Sequence, residues 1–308
     1  MPLRMVLVGA GHMGKIHVDK LASFADVHIA GIVDADAAMA RDVAQKYGVP
    51  WFGDYKELLG HVEGIVIASP TETHYRIARD FLEAGSHVFI EKPIAKTREE
   101  AAELVDLARK AKRVLQIGHL ERFNPAFTGA APFIKKPVLI ETRRASGFTG
   151  RSIDIDVVLD LMIHDIDLVL SLVDGEVKRV RAQGFSLVTD NLDAASAQVE
   201  FANGCIANLT ANRISAVKER SLTVFQKDRY IFVDLLNGKI TNTVKQGEGL
   251  LDTTEYTAKK LDAVKHELMA FIQSIATMSV PIVKGEDGLR ALALAHQIKE
   301  YIAEKQFQ

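Results

Sequence analysis

The chain has 308 residues, 48% hydrophobic and 25% charged, the profile of a soluble globular protein long enough for two domains of ordinary size. Lys plus Arg number 38 against 40 Asp plus Glu, and a net charge of −2 offers no global field to draw the protein to nucleic acid or an anionic membrane. The single cysteine, Cys205, cannot close an intrachain disulfide, and the N-terminal apolar run is too short for a signal peptide or a membrane span, so a cytoplasmic location is expected.

In chain order, Met5-Val6-Leu7-Val8 reads as a strand that runs into Gly9-Ala10-Gly11-His12-Met13-Gly14 and then a helix. Gly9 permits a tight turn, Gly11 lets a pyrophosphate approach the backbone, and Gly14 lets the helix pack closely on the strand. The helix's first N–H groups then face the phosphates. The next apolar run, from Val27 to Val33, ends in Asp34, whose carboxylate would accept hydrogen bonds from a ribose diol. A 2′-phosphate would be repelled there, so the pattern favours NAD over NADP.

Pro50-Trp51-Phe52, Gly64 to Ala68, His87 to Ile90 and Val114 to Ile117 continue the series as short apolar runs without alternation, as buried parallel strands read. Thr97 with Glu100 predicts a capping box opening the helix between the last two. Residues 1–119 are therefore expected to form a doubly wound parallel sheet, a Rossmann-type α/β domain. Such sheets bind ligands beyond the carboxyl ends of their strands, which singles out Ser69-Pro70-Thr71, Glu91-Lys92-Pro93 and Gly118-His119 besides the glycine turn and Asp34. Pro93 restricts Lys92 to an extended conformation and aims it off the sheet edge, toward the nicotinamide end.

From residue 120 to 308 the pattern changes to an α+β domain with a large, mostly antiparallel open sheet. Asn203-Gly204 and Asn237-Gly238 mark hairpins, one helix lies between residues 155 and 173, and helices over Asp262–Met278 and Glu286–Glu304 close the chain, the last bracing the first domain. A cleft between the domains is the expected substrate site. In the inserted helix, Asp160, His164, Asp167 and Ser171 form a polar stripe among aliphatic residues. His164 suits proton transfer with Asp160 one turn away, but a satisfied core histidine with Asp160 as an N-cap reads equally well. His164, Asp165 and Asp167 could hold a metal, yet no H-E-x-x-H or cysteine cluster supports one, so no metal is expected.

These motifs together, with His74, the D-x-x-x-H spacing of Asp160 and His164, and the closing Gly285 to Ala291, make the chain resemble the Gfo/Idh/MocA family of sugar oxidoreductases along its whole length. The resemblance implies a catalytic set of Lys92, Asp160 and His164, with Ser69, Pro70, His74, Glu91 and Arg122 near the cofactor. It also implies that the antiparallel sheet forms the interface of a homodimer or homotetramer. Gly118 to Ala126 is similar to members acting on UDP-N-acetylglucosamine, oxidised to its 3-keto derivative. Arg122 could then meet a diphosphate and Asn124 sugar hydroxyls, or Arg122 could serve the cofactor and Asn124 cap a helix. A free cyclitol or aldose is the alternative substrate, with Lys135, Lys136, Arg143, Arg144 and Arg151 as solvated surface rather than a diphosphate region. A non-catalytic NAD-binding sensor is the alternative of another class.

Overall fold

A computed structural model describes residues 1–150 and 153–306. Its strands and helices, in chain order, are β1 Leu3–Val8, α1 His12–Leu21, β2 Val27–Val33, α2 Ala37–Tyr47, β3 Trp51–Phe52, β4 Gly64–Ile67, α3 Thr71–Glu83, β5 His87–Glu91, α4 Arg98–Ala111, β6 Leu115–Gly118, α5 Pro125–Ala130 and β7 Leu139–Ala145. A π-helical turn, Val158–Met162, leads into α6 Ile163–Leu172. There follow β8 Val177–Phe185, β9 Ala194–Phe201, β10 Ile206–Asn212, β11 Glu219–Phe225, β12 Arg229–Asp234, β13 Lys239–Lys245, β14 Leu251–Thr257, α7 Ala263–Thr277 and α8 Gly285–Gln306.

Contacts divide the chain into two compact units: Met1–Leu120 with Asp262–Leu289, and Glu121–Leu261 with the chain from Arg290 on. The first unit thus takes in more than residues 1–119. Asp262 caps α7 by accepting from the Lys265 N–H at 3.0 Å, and Leu268, Phe271 and Ile275 of that helix join Val18 and Leu21 of α1 in one apolar cluster. The last helix was expected to brace the first domain. Only its start does so, Gly285 and Gly288 lying against Leu115 and Ile117, whereas Leu294, Ala295 and Ile298 belong to the core of the second unit.

The first unit's sheet runs β3-β2-β1-β4-β5-β6, all pairs parallel, with the order reversing between β1 and β4. That is the doubly wound arrangement, whose ligands bind at the strand tips beside the switch point. The capping box forms in full: Thr97 Oγ1 accepts from the Glu100 N–H at 3.2 Å, and Glu100 Oε2 from the Thr97 N–H at 3.1 Å.

The second sheet has eight strands in the order β14-β13-β12-β11-β7-β10-β9-β8. Every pair is antiparallel except β7 with β10. Alternation puts Ile140, Leu209, Val224 and Ile231 on one face, in a core shared with Phe127 of α5, Ile166 and Val169 of α6 and the inner side of α8. No helix among the described residues is long and apolar enough to cross a membrane.

Candidate functional site

In the first unit, the tips of β1, β2, β4 and β5 gather the glycine turn, Asp34, Ser69-Pro70-Thr71, His74 and Glu91-Lys92. Gly9 adopts φ +97°, a conformation that favours glycine, and a Cβ there would lie 2.5 Å from the Ala68 carbonyl. A Cβ on Gly14 would run into the Gly9 carbonyl oxygen, so this glycine sets how closely α1 leaves the turn. Gly11 faces open space, and as the N-cap of α1 it has no side chain to occupy the helix's first N–H groups. His12 and Met13 begin that helix. The cradle therefore has the donors and the room that a pyrophosphate requires.

Asp34 ties the β2 tip to the turn: one carboxylate oxygen accepts from the Ala10 N–H at 2.7 Å, the other from the Asp36 N–H at 2.9 Å. A carboxylate offers about four acceptor positions, so a ribose diol can still be bound. Beside it opens a cavity of about 380 Å³ lined by Gly9, Asp34, Tyr55, Ser69, Pro70 and Arg76. Tyr55 and Arg76 were not singled out from the sequence. Arg76 lies 5.8 Å over the Tyr55 ring, whose hydroxyl donates to Asp80 at 2.8 Å. Burial and the Asp80 carboxylate push that hydroxyl's pKa up to about 12, so it stays a donor. The clue in the sequence is spacing: Arg76 falls one helical turn after Thr73, which lines the same cavity. These residues fit an NAD adenosine half.

His74 braces the site rather than lining it. It is buried, with Nδ1 2.9 Å from the Pro93 carbonyl and Nε2 2.8 Å from that of Ser69, so it spans the loops after β4 and β5. Burial lowers its pKa more than the two carbonyls raise it. Ser69 Oγ and Thr73 Oγ1 pair at 2.7 Å, fixing the start of α3, where Thr71 lies. Glu91 is engaged through both of its carboxylate oxygens. Its Oε1 lies 2.6 Å from Nε2 of the fully buried His17, and its Oε2 accepts from the Lys92 backbone N–H at 3.2 Å. Burial raises the Glu91 pKa, but His17 and the Lys92 charge outweigh it and hold the carboxyl below its ordinary value.

In the second unit, the expected polar stripe divides by task. Asp160 and His164 stay half-buried, whereas Asp165 and Asp167 are buried. The cap reading of Asp160 fails, because Asp156 does the capping: its Oδ1 accepts from the N–H groups of Val158 and Leu159, both at 3.0 Å. Asp160 sits instead within the π turn, a helical irregularity common at functional sites. Asp167 accepts from Arg122 Nε at 2.8 Å, and Ser171 Oγ donates to the Leu168 carbonyl of its own helix. Asp165 is gripped by Arg144 at 2.7 and 3.1 Å, and Arg144 Nη1 reaches Glu121 at 2.8 Å. Guanidinium groups thus take both carboxylates that a metal would have shared with His164, and among the described residues no metal-holding group forms.

Arg144 was expected with the solvated or diphosphate-facing basic residues. It is only 3% exposed, because strand alternation sends Glu141 and Arg143 out and Thr142 and Arg144 in. Burial alone would depress Arg144, but Asp165 and Glu121 more than offset it and raise its pKa. Burial also raises Glu121, and the charges of Arg144 and Arg220 reverse this and hold it ionised. Arg143 pairs at the surface with Glu219, and Lys135 and Lys136 are exposed. Arg151 lies outside the described residues. Asn124 caps α5: its Oδ1 accepts from the Ala126 N–H at 3.0 Å, and its amide donates to Glu121 and the Leu235 carbonyl. These bonds use both amide protons, which leaves the sugar-hydroxyl role without a donor.

Residues 3–119 match an oxidoreductase family described by its NAD-binding Rossmann fold, and residues 109–231 match the GFO/IDH/MocA C-terminal domain. Over 305 residues the chain is 37% identical to UDP-N-acetylglucosamine 3-dehydrogenase of Acidithiobacillus ferrooxidans, covering 96% of each protein. A solved structure of that enzyme matches with a TM-score of 0.93 at 35% identity, covering 98% of both chains. Myo-inositol 2-dehydrogenase of Thermotoga maritima is 26% identical over 332 residues, covering 98% of this chain and 97% of that protein.

Proposed function

The chain belongs to the GFO/IDH/MocA family of oxidoreductases and carries its NAD-binding Rossmann domain, and from that premise we propose that it oxidises UDP-N-acetylglucosamine to the 3-keto nucleotide sugar. The observation that carries this substrate is the 37% identity to a 3-dehydrogenase of that sugar, spread over 96% of both proteins.

NAD, when bound, supplies the carbon that accepts the hydride. Gly9, Gly11 and the first turn of α1 would hold its pyrophosphate, Asp34 its adenosine ribose, and Ser69, Pro70 and Thr71 would lie beside it. We assign Lys92, Asp160 and His164 to the reaction. A ring nitrogen of His164 takes the hydroxyl proton, Asp160 stabilises the resulting imidazolium, and the Lys92 ammonium stabilises the developing alkoxide. Lys92 as the base is the alternative, since a desolvated lysine loses its proton readily. Arg122, held by Asp167, is assigned to an anionic group of the cofactor or substrate.

The protein works in the cytoplasm, in keeping with a lone, buried Cys205. It assembles as a homodimer or homotetramer through the sheet of the second unit, whose face opposite the helices presents Leu139, Phe225, Tyr230 and Phe232. Absorbance of reduced nicotinamide on mixing with NAD and UDP-N-acetylglucosamine tests the reaction, and the product should be two hydrogens lighter by mass. Reduction with myo-inositol but not with the nucleotide sugar would favour the cyclitol reading, which the Thermotoga relative motivates. Tight NAD binding without turnover of either would favour the sensor.

A further inference from the structure

We propose that His17 is a positioning residue that sets the Lys92 backbone through the Glu91 carboxylate, an inference that rests on the assignment of Lys92 to the reaction. His17 lies on α1, the helix whose start forms the phosphate cradle, and its side chain is 0% exposed. Its Nε2–H donates to Glu91 Oε1 at 2.6 Å, and its ring sits edge-on to Phe89 at 5.3 Å between centroids. Nδ1 is buried with no hydrogen-bond partner, so the ring's polar engagement is concentrated on Glu91. The other Glu91 oxygen accepts from the Lys92 N–H at 3.2 Å.

The carboxylate has little room elsewhere. Gly118 pairs with Glu91 across β5 and β6, and a Cβ there would stand 2.9 Å from Glu91 Oε2. On the far side of Lys92, the Pro93 carbonyl meets His74 Nδ1. Helices α1 and α3 thus grip the residues before and after Lys92, each through a buried histidine. A buried ionic pair is a poor source of stability compared with an apolar one, and its best attested use is to fix geometry. Here the geometry it fixes is that of the β5 tip, which Lys92 follows.

The test compares His17→Leu, which removes the donor, with His17→Gln, which keeps one of similar reach. With NAD and UDP-N-acetylglucosamine, H17L should lower kcat about 10- to 100-fold while KM for NAD moves by less than about threefold, and H17Q should recover most of the loss. H17L added to Lys92→Met should cost nothing beyond K92M alone, because His17 acts through that lysine. The second readout needs no turnover: after reductive methylation with isotope-labelled formaldehyde, the NMR signal of Lys92, assigned with Lys92→Arg, should shift in H17L and return in H17Q. Glu91→Gln should shift it too, and serves where H17L does not fold. Equal losses in H17L and H17Q, or an unmoved Lys92 signal in H17L and E91Q, would overturn the role. Full activity in K92M would instead overturn the assignment of Lys92, and this inference with it.

Discussion

The turn carrying Lys92 and the helix carrying His164 both rest on buried ionic groups, but of different kinds. Under Lys92 lies a histidine–glutamate pair, His17 with Glu91, joined by a single 2.6 Å contact. Under His164 lie Arg144 with Asp165 and Glu121, and Arg122 with Asp167, and a guanidinium does not lose its proton. The Lys92 turn is thus held through one imidazole–carboxylate contact, whereas the His164 helix is held by guanidinium groups that meet three carboxylates.

Removing the permanent charge beneath His164 should have the largest effect. Arg144→Met leaves Asp165 and Glu121 buried without their cation and should cost about 3–5 kcal/mol, a loss of the kind that denaturant unfolding measures. A loss below about 1 kcal/mol would mean that the cluster does not anchor the helix.

Acid acts on the first unit through another buried histidine. In the first unit, His87 accepts from the Val114 N–H through Nδ1 at 2.9 Å, and burial, with repulsion from Arg113, lowers its pKa from the usual 6.5 to about 4. Between those values the unfolded chain binds a proton that the folded chain refuses. Stability from this group is therefore complete above pH 6.5, declines as pH falls to about 4, and is flat below. The melting temperature should fall across that window, and His87→Asn, which keeps an acceptor but no titrating ring, should flatten the decline. An unchanged slope in that variant would assign the acid sensitivity to other groups.

The smallest effect concerns Asn124. Its removal by Asn124→Ala should cost about 1 kcal/mol, as lost helix caps do, with KM for the sugar unchanged. A raised KM with unaltered stability would restore the sugar-binding role that its hydrogen bonds argue against.

The two units also differed in how legibly they were written. Strands such as Val27–Val33 are apolar on both faces, because helices cover both, so an unbroken run announces them. In the second unit β14, Leu251–Thr257, is exposed at every position and carries no pattern to read. Arg144 looked like surface because the partner that buries it, Asp165, lies 21 residues away, and only folding supplies it. His17 does carry a signal in the sequence, since Gly14, His17, Val18 and Leu21 follow one helical face, and all four are buried. The placement of Lys92 at a strand tip and the aptness of His164 for proton transfer beside Asp160 are read from the residues, but their joining in one catalytic set comes from the resemblance, since no spacing within the chain links a strand tip to a helix some 70 residues on.

Lys92 and His164 are proposed to serve one reaction, and single-turnover reduction of NAD by UDP-N-acetylglucosamine reports on both at once. Lys92→Met and His164→Asn should each slow hydride transfer by about 10²- to 10⁴-fold while NAD still binds. Wild-type rates in both variants would contradict it.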